Sequence, residues 1–368
     1  MIYSDLIIFE IDKPIMTRNH LLFILSFLIA MISYGQSVQV INKFETKANI
    51  YSTPIVTQEQ NVVFGGHDKH IYFFDKLGQL INKYKTEGWV HASPSVLANG
   101  QVIVGSYDKK MYIFSSKGEL IDFFIPGGKI FSKVLELTND CIVFGSNKLG
   151  LVYYNLLDKT SKVFKTKGMT HTDLSLTTNG EVLAGALDKH LYMVDENAEL
   201  KQAFKTKGWI LHSKPVELPN GNFVVASYDK SIYILDPEFN QINKFSTQGK
   251  IHGSPLILDD GSIVIGSFDK KVYFLDPNGD LLHTFKTDGR VVSSPVQLEN
   301  GVVVVCSYDG FVYYLSPEAK LLSKFKTEGG IFSTPAVIDE NTIAVGSNDN
   351  WIYFLKLELE EEENMLVN

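Results

Sequence analysis

An aromatic residue returns at Phe44, Tyr84, Phe124, Phe164, Phe204, Phe245, Phe285 and Phe325, at intervals of 40, 40, 40, 40, 41, 40 and 40 residues. No other feature of the chain constrains its fold as much. A fixed period of that length means copies of one supersecondary unit, each burying its apolar surface against its neighbours. Thr follows two positions later in seven units, with Pro126 the exception, and Gly four positions later in seven, with Ala48 the exception. Six units then carry a proline: Pro54, Pro94, Pro215, Pro255, Pro295 and Pro335. An apolar run follows, ending in a turn with Asp at 68, 108, 188, 229, 269, 309 and 349, and the unit closes on an aromatic-rich stretch such as HIYFFD or KVYFLD.

Each unit parses into four short strands, in the second unit VHASPSVL, QVIVGSY, KMYIFS and LIDFF. Asn99-Gly100, Asn179-Gly180, Asn220-Gly221, Asp260-Gly261 and Asn300-Gly301 supply hairpin turns between the first two strands. Four strands in about 40 residues describe a propeller blade. The fold expected is therefore all-β, an eight-bladed propeller of four-stranded antiparallel blades. The last unit stops at its third strand, WIYFLKL, while one strand around Val38–Phe44 precedes the first unit. That amino-terminal strand should complete blade eight and close the ring, leaving no large sheet edge exposed. The recurring proline belongs on the innermost strand, where a missing N–H loses no ladder partner. The recurring Asp reads as turn chemistry.

The ends of the chain differ from its middle. Residues 21–34 (LLFILSFLIAMISY) form an apolar run too short to span a bilayer comfortably, preceded by Arg18 and followed by Gly35. This reads as a secretory signal peptide cleaved near Gly35, with Met16 the expected start. No cysteine ends the run, so lipid attachment is not expected, and the mature protein is expected to be periplasmic or extracellular and monomeric. The organisation is thus a leader over 1–35, a propeller over 36–356 and an acidic tail over 357–368. That tail holds Glu358, Glu360, Glu361, Glu362 and Glu363, much of the net charge of −8. The propeller itself is nearly neutral, and Arg18 and Arg290 are the chain's only arginines. Reading of bases or phosphates leans on arginine, so a nucleic-acid partner is excluded.

Units such as HGSPLILDDGSIVIGSFDKKVYFLDPNGDLLHTFKTDG resemble the pyrrolo-quinoline quinone (PQQ) repeat family over residues 38–356. The resemblance implies the propeller fold; function does not follow from fold. Family members include quinone-dependent alcohol and glucose dehydrogenases, an outer-membrane assembly lipoprotein and many secreted propellers. The dehydrogenases are much longer and build the cofactor chamber from large inter-blade insertions, whereas here one extra residue near Trp209 is the only insertion. Alcohol-oxidising members pack the quinone against a disulfide of neighbouring cysteines. Cys141 and Cys306 lie in opposite blades, beyond the ~5.5 Å Cα separation a disulfide needs. The family's Glu–Asn–Asp calcium set and tryptophan floor are also missing. No cofactor is expected, and PQQ with calcium is disfavoured.

If repeated residues build the ring, residues that vary at one repeat position should carry function. Three positions before the proline the blades hold Tyr51, His91, Phe131, His171, His212, His252, Val292 and Phe332. Strand alternation places Asn49, Trp89, Lys129, Met169, Ile210, Lys250, Arg290 and Gly330 two residues before this slot. Two residues after it come Thr53, Ser93, Lys133, Asp173, Lys214, Ser254, Ser294 and Thr334. The candidate ligand-binding residues at the channel mouth are Trp89, His91, Lys129, His171, Asp173, Trp209, His212, Lys250, His252 and Arg290. His171, His212, His252 and Asp173 are the donor types of a zinc or copper site, but diverging strands should hold them too far apart to share an ion at ~2.1 Å. The loops between second and third strands carry His67, Tyr107, Leu187, Tyr228, Phe268 and Tyr308, then Lys69, Lys109, Lys189, Lys230 and Lys270, an aromatic and cationic rim. The expected function is a non-catalytic scaffold that binds a protein or glycan at this face. The alternatives are a quinone- or metal-dependent oxidoreductase with its cofactor in the channel, and an envelope protein assembly factor.

Overall fold

A computed structural model describes residues 37–137 and 140–358. The leader and residues 359–368 of the tail lie outside the described residues. Thirty-two strands form eight four-stranded antiparallel sheets. Seven sheets take their strands in chain order, and the eighth joins Ser37–Glu45 to the edge of Trp351–Glu358. The pairing runs from Ser37 opposite Glu358 to Glu45 opposite Trp351. Leu357 is fully buried, so the last strand continues two residues past the expected boundary at 356.

Burial explains the strand patterns. The second strand of a blade, such as Val102–Gly105, is buried along its whole length because both sheet faces meet other blades. The fourth, such as Leu80–Lys85, alternates between partly buried and exposed positions. The core accordingly lies between blades, in layers such as Leu183, Leu191 and Met193 against Phe223, Val225 and Tyr233. Gly65, Gly105 and Gly185 end second strands, and Gly266 stands one residue before the end of its own, where the next blade comes too close for a side chain. A Cβ on Gly65 would stand 2.2 Å from Val90 Cγ1. Cys306 occupies the same repeat position and is fully buried, while Cys141 is half-buried at the start of its strand; both are free thiols.

The first strand differs from expectation. It spans two residues, Ser95–Val96 in blade two, rather than the eight of VHASPSVL. The proline just before it has no N–H, and the residues ahead of the proline leave the sheet to fill the channel. A second finding concerns the repeated Thr, Asp and the Tyr four residues after each Asp. Thr247 N–H donates to the Lys230 carbonyl of its own blade at 2.8 Å. Gln248 N–H donates to Asp269 Oδ2 of the next blade at 2.8 Å, and Tyr273 Oη donates to the same oxygen at 2.9 Å. One carboxylate thus staples two blades. The phase-setting aromatic reinforces it: Phe245 packs edge-on against Tyr273 with ring centroids 5.3 Å apart.

Candidate functional site

Around one mouth of the channel, the loop between second and third strands folds back on the segment that enters the blade. Tyr107 N–H donates to the Trp89 carbonyl at 2.9 Å, Tyr228 to Trp209 at 2.8 Å, and Tyr308 to Arg290 at 2.9 Å. These bonds set two families of side chains side by side. Trp89 stacks on His67 of the preceding blade at 4.9 Å, and Trp209 lies 6.2 Å from Tyr228. Lys129 sits over Tyr107 and Lys250 over Tyr228, both at 5.1 Å, while Arg290 lies between Phe268 and Tyr308 at 5.3 and 4.5 Å. Cation and ring attract each other in this geometry and hold the charge at the surface. Trp89 and Trp209 remain 49% and 48% exposed, a large apolar area offered to solvent.

One sequence expectation changes here. Alternation places Ile210 beside Trp89, but Ile210 is fully buried against Gly185 and Trp209 takes the rim position. The inserted residue, Leu211, shifts the register of blade five by one and leaves His212 at a φ of 60°. The lysines of these loops, Lys69, Lys109, Lys189, Lys230 and Lys270, are exposed and occupy left-handed turn positions, with φ from 67° to 74°. There the backbone carbonyls of Lys69, Lys189, Lys230 and Lys270 serve the Thr staple.

Below the rim the slot residues converge. His212 lies 4.6 Å from His252 and 6.2 Å from His171, ring centre to ring centre. It also reaches across the channel to His91 at 5.9 Å and Phe332 at 6.3 Å. His171 stacks on Phe131 at 3.9 Å, and Tyr51 meets Phe332 at 5.0 Å. Together these rings form a septum across the channel, in which strand divergence does not keep the histidine rings out of contact with one another. Short inner strands free the backbone to turn the rings inward. Among the described residues, no three His, Cys, Asp or Glu side chains group as metal ligands.

The septum is neutral at neutral pH. Burial, reinforced for His91 by the neighbouring histidines, lowers the pKa values of His91, His171 and His252 to about 4. Burial also drives His212 well below the ordinary range. His91 Nδ1 is 3.1 Å from His67 Nε2, a hydrogen bond that requires at least one of the two rings to be neutral. His252 Nδ1 donates to the Val292 carbonyl at 3.2 Å.

Asp173 lies in a third tier, on the far side of the septum. Of the ten candidates, Trp89, Lys129, Trp209, Lys250 and Arg290 share the rim and the four histidines share the septum, while Asp173 lines the small cavity against the septum with His91, His212 and His252. Its Oδ1 accepts from Lys133 N–H at 2.8 Å. The same blade-to-blade link recurs from Thr53 N–H to Ser93 Oγ, Lys214 to Ser254, Ser254 to Ser294 and Ser294 to Thr334, at 2.8–3.0 Å. This circlet of hydrogen bonds was not anticipated from sequence. Its signal is a hydroxyl or carboxylate recurring at one repeat position.

No protein-family model matches the chain, and no curated protein matches it. Among solved structures it is similar to BamB from Moraxella catarrhalis, with a TM-score of 0.71 and 14% identity over 87% of this chain and 100% of that one. It is also similar to the computationally designed protein Ika8, with a TM-score of 0.69 and 16% identity over 85% of this chain and 97% of that one. The class of protein is therefore a β-propeller. At these identities the likeness carries the fold alone. Among the described residues, no helix is long and apolar enough to cross a membrane.

Proposed function

We propose that this chain is an exported, PQQ-like propeller that works as a non-catalytic scaffold, binding a protein or glycan partner at the rim. The observation that carries the reading is the alternation of half-exposed Trp89 and Trp209 with ring-backed Lys129, Lys250 and Arg290. Tryptophan and arginine are the side chains that most often dominate binding energy at interfaces. Rigid, pre-positioned cations also reduce the ordering cost of association. A role in assembling envelope proteins would use the same face.

The proposal includes no quinone in the channel. The cavity directly against the septum is about 70 Å³, room for a few water molecules. The test is capture of a partner from envelope extracts on immobilised protein, followed by titration of that purified partner. Trp89→Ala with Trp209→Ala should weaken binding at least tenfold, about 1.4 kcal/mol, and Arg290→Ala should do the same alone. Unchanged affinity in these variants overturns the rim. Stoichiometric uptake of quinone and calcium with dye-linked alcohol oxidation overturns the non-catalytic reading.

A further inference from the structure

Beyond the septum the channel widens into a second space of about 650 Å³, lined by Lys133, Asp173, Lys214, Ser254 and Ser294 and bordered by prolines. That volume falls within the roughly 300–1,000 Å³ of small-molecule sites. Its chemistry is lopsided. The hydroxyls of Ser93, Ser254, Ser294 and Thr334 each accept a backbone N–H from the preceding blade, which fixes the oxygen. No acceptor among the described residues takes their hydrogens, so each keeps a donor for something else. Lys133 and Lys214 interrupt the hydroxyl series in blades three and five, and neither ammonium group makes an ion pair. Burial and the charge of Lys214 both disfavour the protonated form of Lys133, and Asp173 favours it. Two cations and several free O–H donors thus face one carboxylate, which already accepts a backbone N–H.

We infer that this half of the channel is a blind well for a small oxyanion, a carboxylate or phosphate group, held by Lys133, Lys214 and the hydroxyl circlet. The septum floors the well, so the site is separate from the rim and stands or falls without it. An oxyanion supplies the acceptors that the hydroxyls and ammonium groups lack, and it neutralises two like charges held in one lumen. Asp173 sets the limit on affinity, because its charge opposes the ligand while partly balancing the lysines.

The experiment is calorimetric titration of the full chain with inorganic phosphate and, separately, with citrate. Saturable binding of either is the expected result, and the preferred probe tells a phosphate-bearing ligand from a carboxylate-bearing one. Lys133→Gln and Lys214→Gln should each lose about tenfold in affinity. Asp173→Asn should bind several-fold more tightly, an opposite sign that a merely structural role would not produce, and thermal melts verify folding of each variant. Trp89→Ala and Arg290→Ala should leave the affinity unchanged, which separates failure of the well from failure of the rim. No saturation by either anion up to roughly 10 mM, a binding free energy weaker than about 3 kcal/mol, overturns the proposal. So does wild-type affinity in both lysine variants.

Discussion

The histidines of the septum are neutral because the fold surrounds them with rings rather than with charge. The pKa values of His91, His171 and His252, about 4, lie below the unfolded value of about 6.5, and burial holds that of His212 well below it too. Between those limits the unfolded chain binds protons that the folded chain refuses, so stability is full above pH 6.5 and falls as the pH drops toward 4. Each histidine contributes a slope of at most about 1.4 kcal/mol per pH unit in that window. Urea unfolding at pH 7.5 and 5.0 should show the loss, and His91→Phe with His252→Phe should reduce it. Phenylalanine is the right replacement because Phe131 and Phe332 already fill the slot in two other blades. An unchanged pH dependence in that variant would show that the septum is not its source. At this scale the slot itself was legible, since four of nine histidines share one repeat position. Their contact across the ring was not, because it depends on how far the backbone turns inward between Gly and Pro. The staple was readable but missed. Asp and the Tyr four residues later occur together in seven blades, and blade three has Lys148 and Val152 instead.

That joint absence makes one junction unlike the others. Where blade two meets blade three, Pro126 replaces the stapling Thr and Lys148 replaces the Asp. Among the described residues, no carboxylate takes that Asp's place beside the Gly127 amide. Other polar links and packing hold the junction instead: Ser95 Oγ donates to the Val134 carbonyl at 2.7 Å, and Lys159 pairs with Asp122 at 2.7 Å. Phe124 lies flat on Tyr154 with centroids 4.1 Å apart, in a layer that also joins Ile103, Ile130 and Phe144. These contacts hold the blades together but leave the Gly127 amide, on an exposed residue, without a carboxylate acceptor, and such open amides exchange fastest. Hydrogen exchange should therefore be markedly faster at Gly127 than at Gln248, whose N–H donates to Asp269. Equal protection at the two junctions would remove the staple from the account. The sequence marks three of the four strands in each blade well, because burial on both faces or alternation leaves a pattern. The innermost strand misleads, since its apolar and hydroxyl residues line a channel and not a sheet.

Across the whole molecule, closure is made by one antiparallel pair, Ser37–Glu45 on Trp351–Glu358. Phe44 of that strand also packs against Tyr72 and Phe74 of blade one, so it ties both neighbours. A chain lacking residues 37–45 would expose the backbone edge of a buried strand, an invitation to pair with another chain. Light scattering should find that variant in larger assemblies than the full chain, with a lower melting temperature. The same mass and the same melting point would mean that the ring does not depend on its clasp. The ring count and its closure were legible because a 40-residue period survives in every unit; the septum and the space beyond it were not, since no single unit contains either. The clasp also sets a clock. Ser37 has to wait for Glu358 before it can pair, and at ribosomal rates of about 5–20 residues per second that delay is roughly 15–60 s. Throughout it, the earliest strand of the ring has no partner. A newborn chain of this kind spends its first minute as an open arc, and whatever shields that strand during synthesis governs how much protein reaches the closed form.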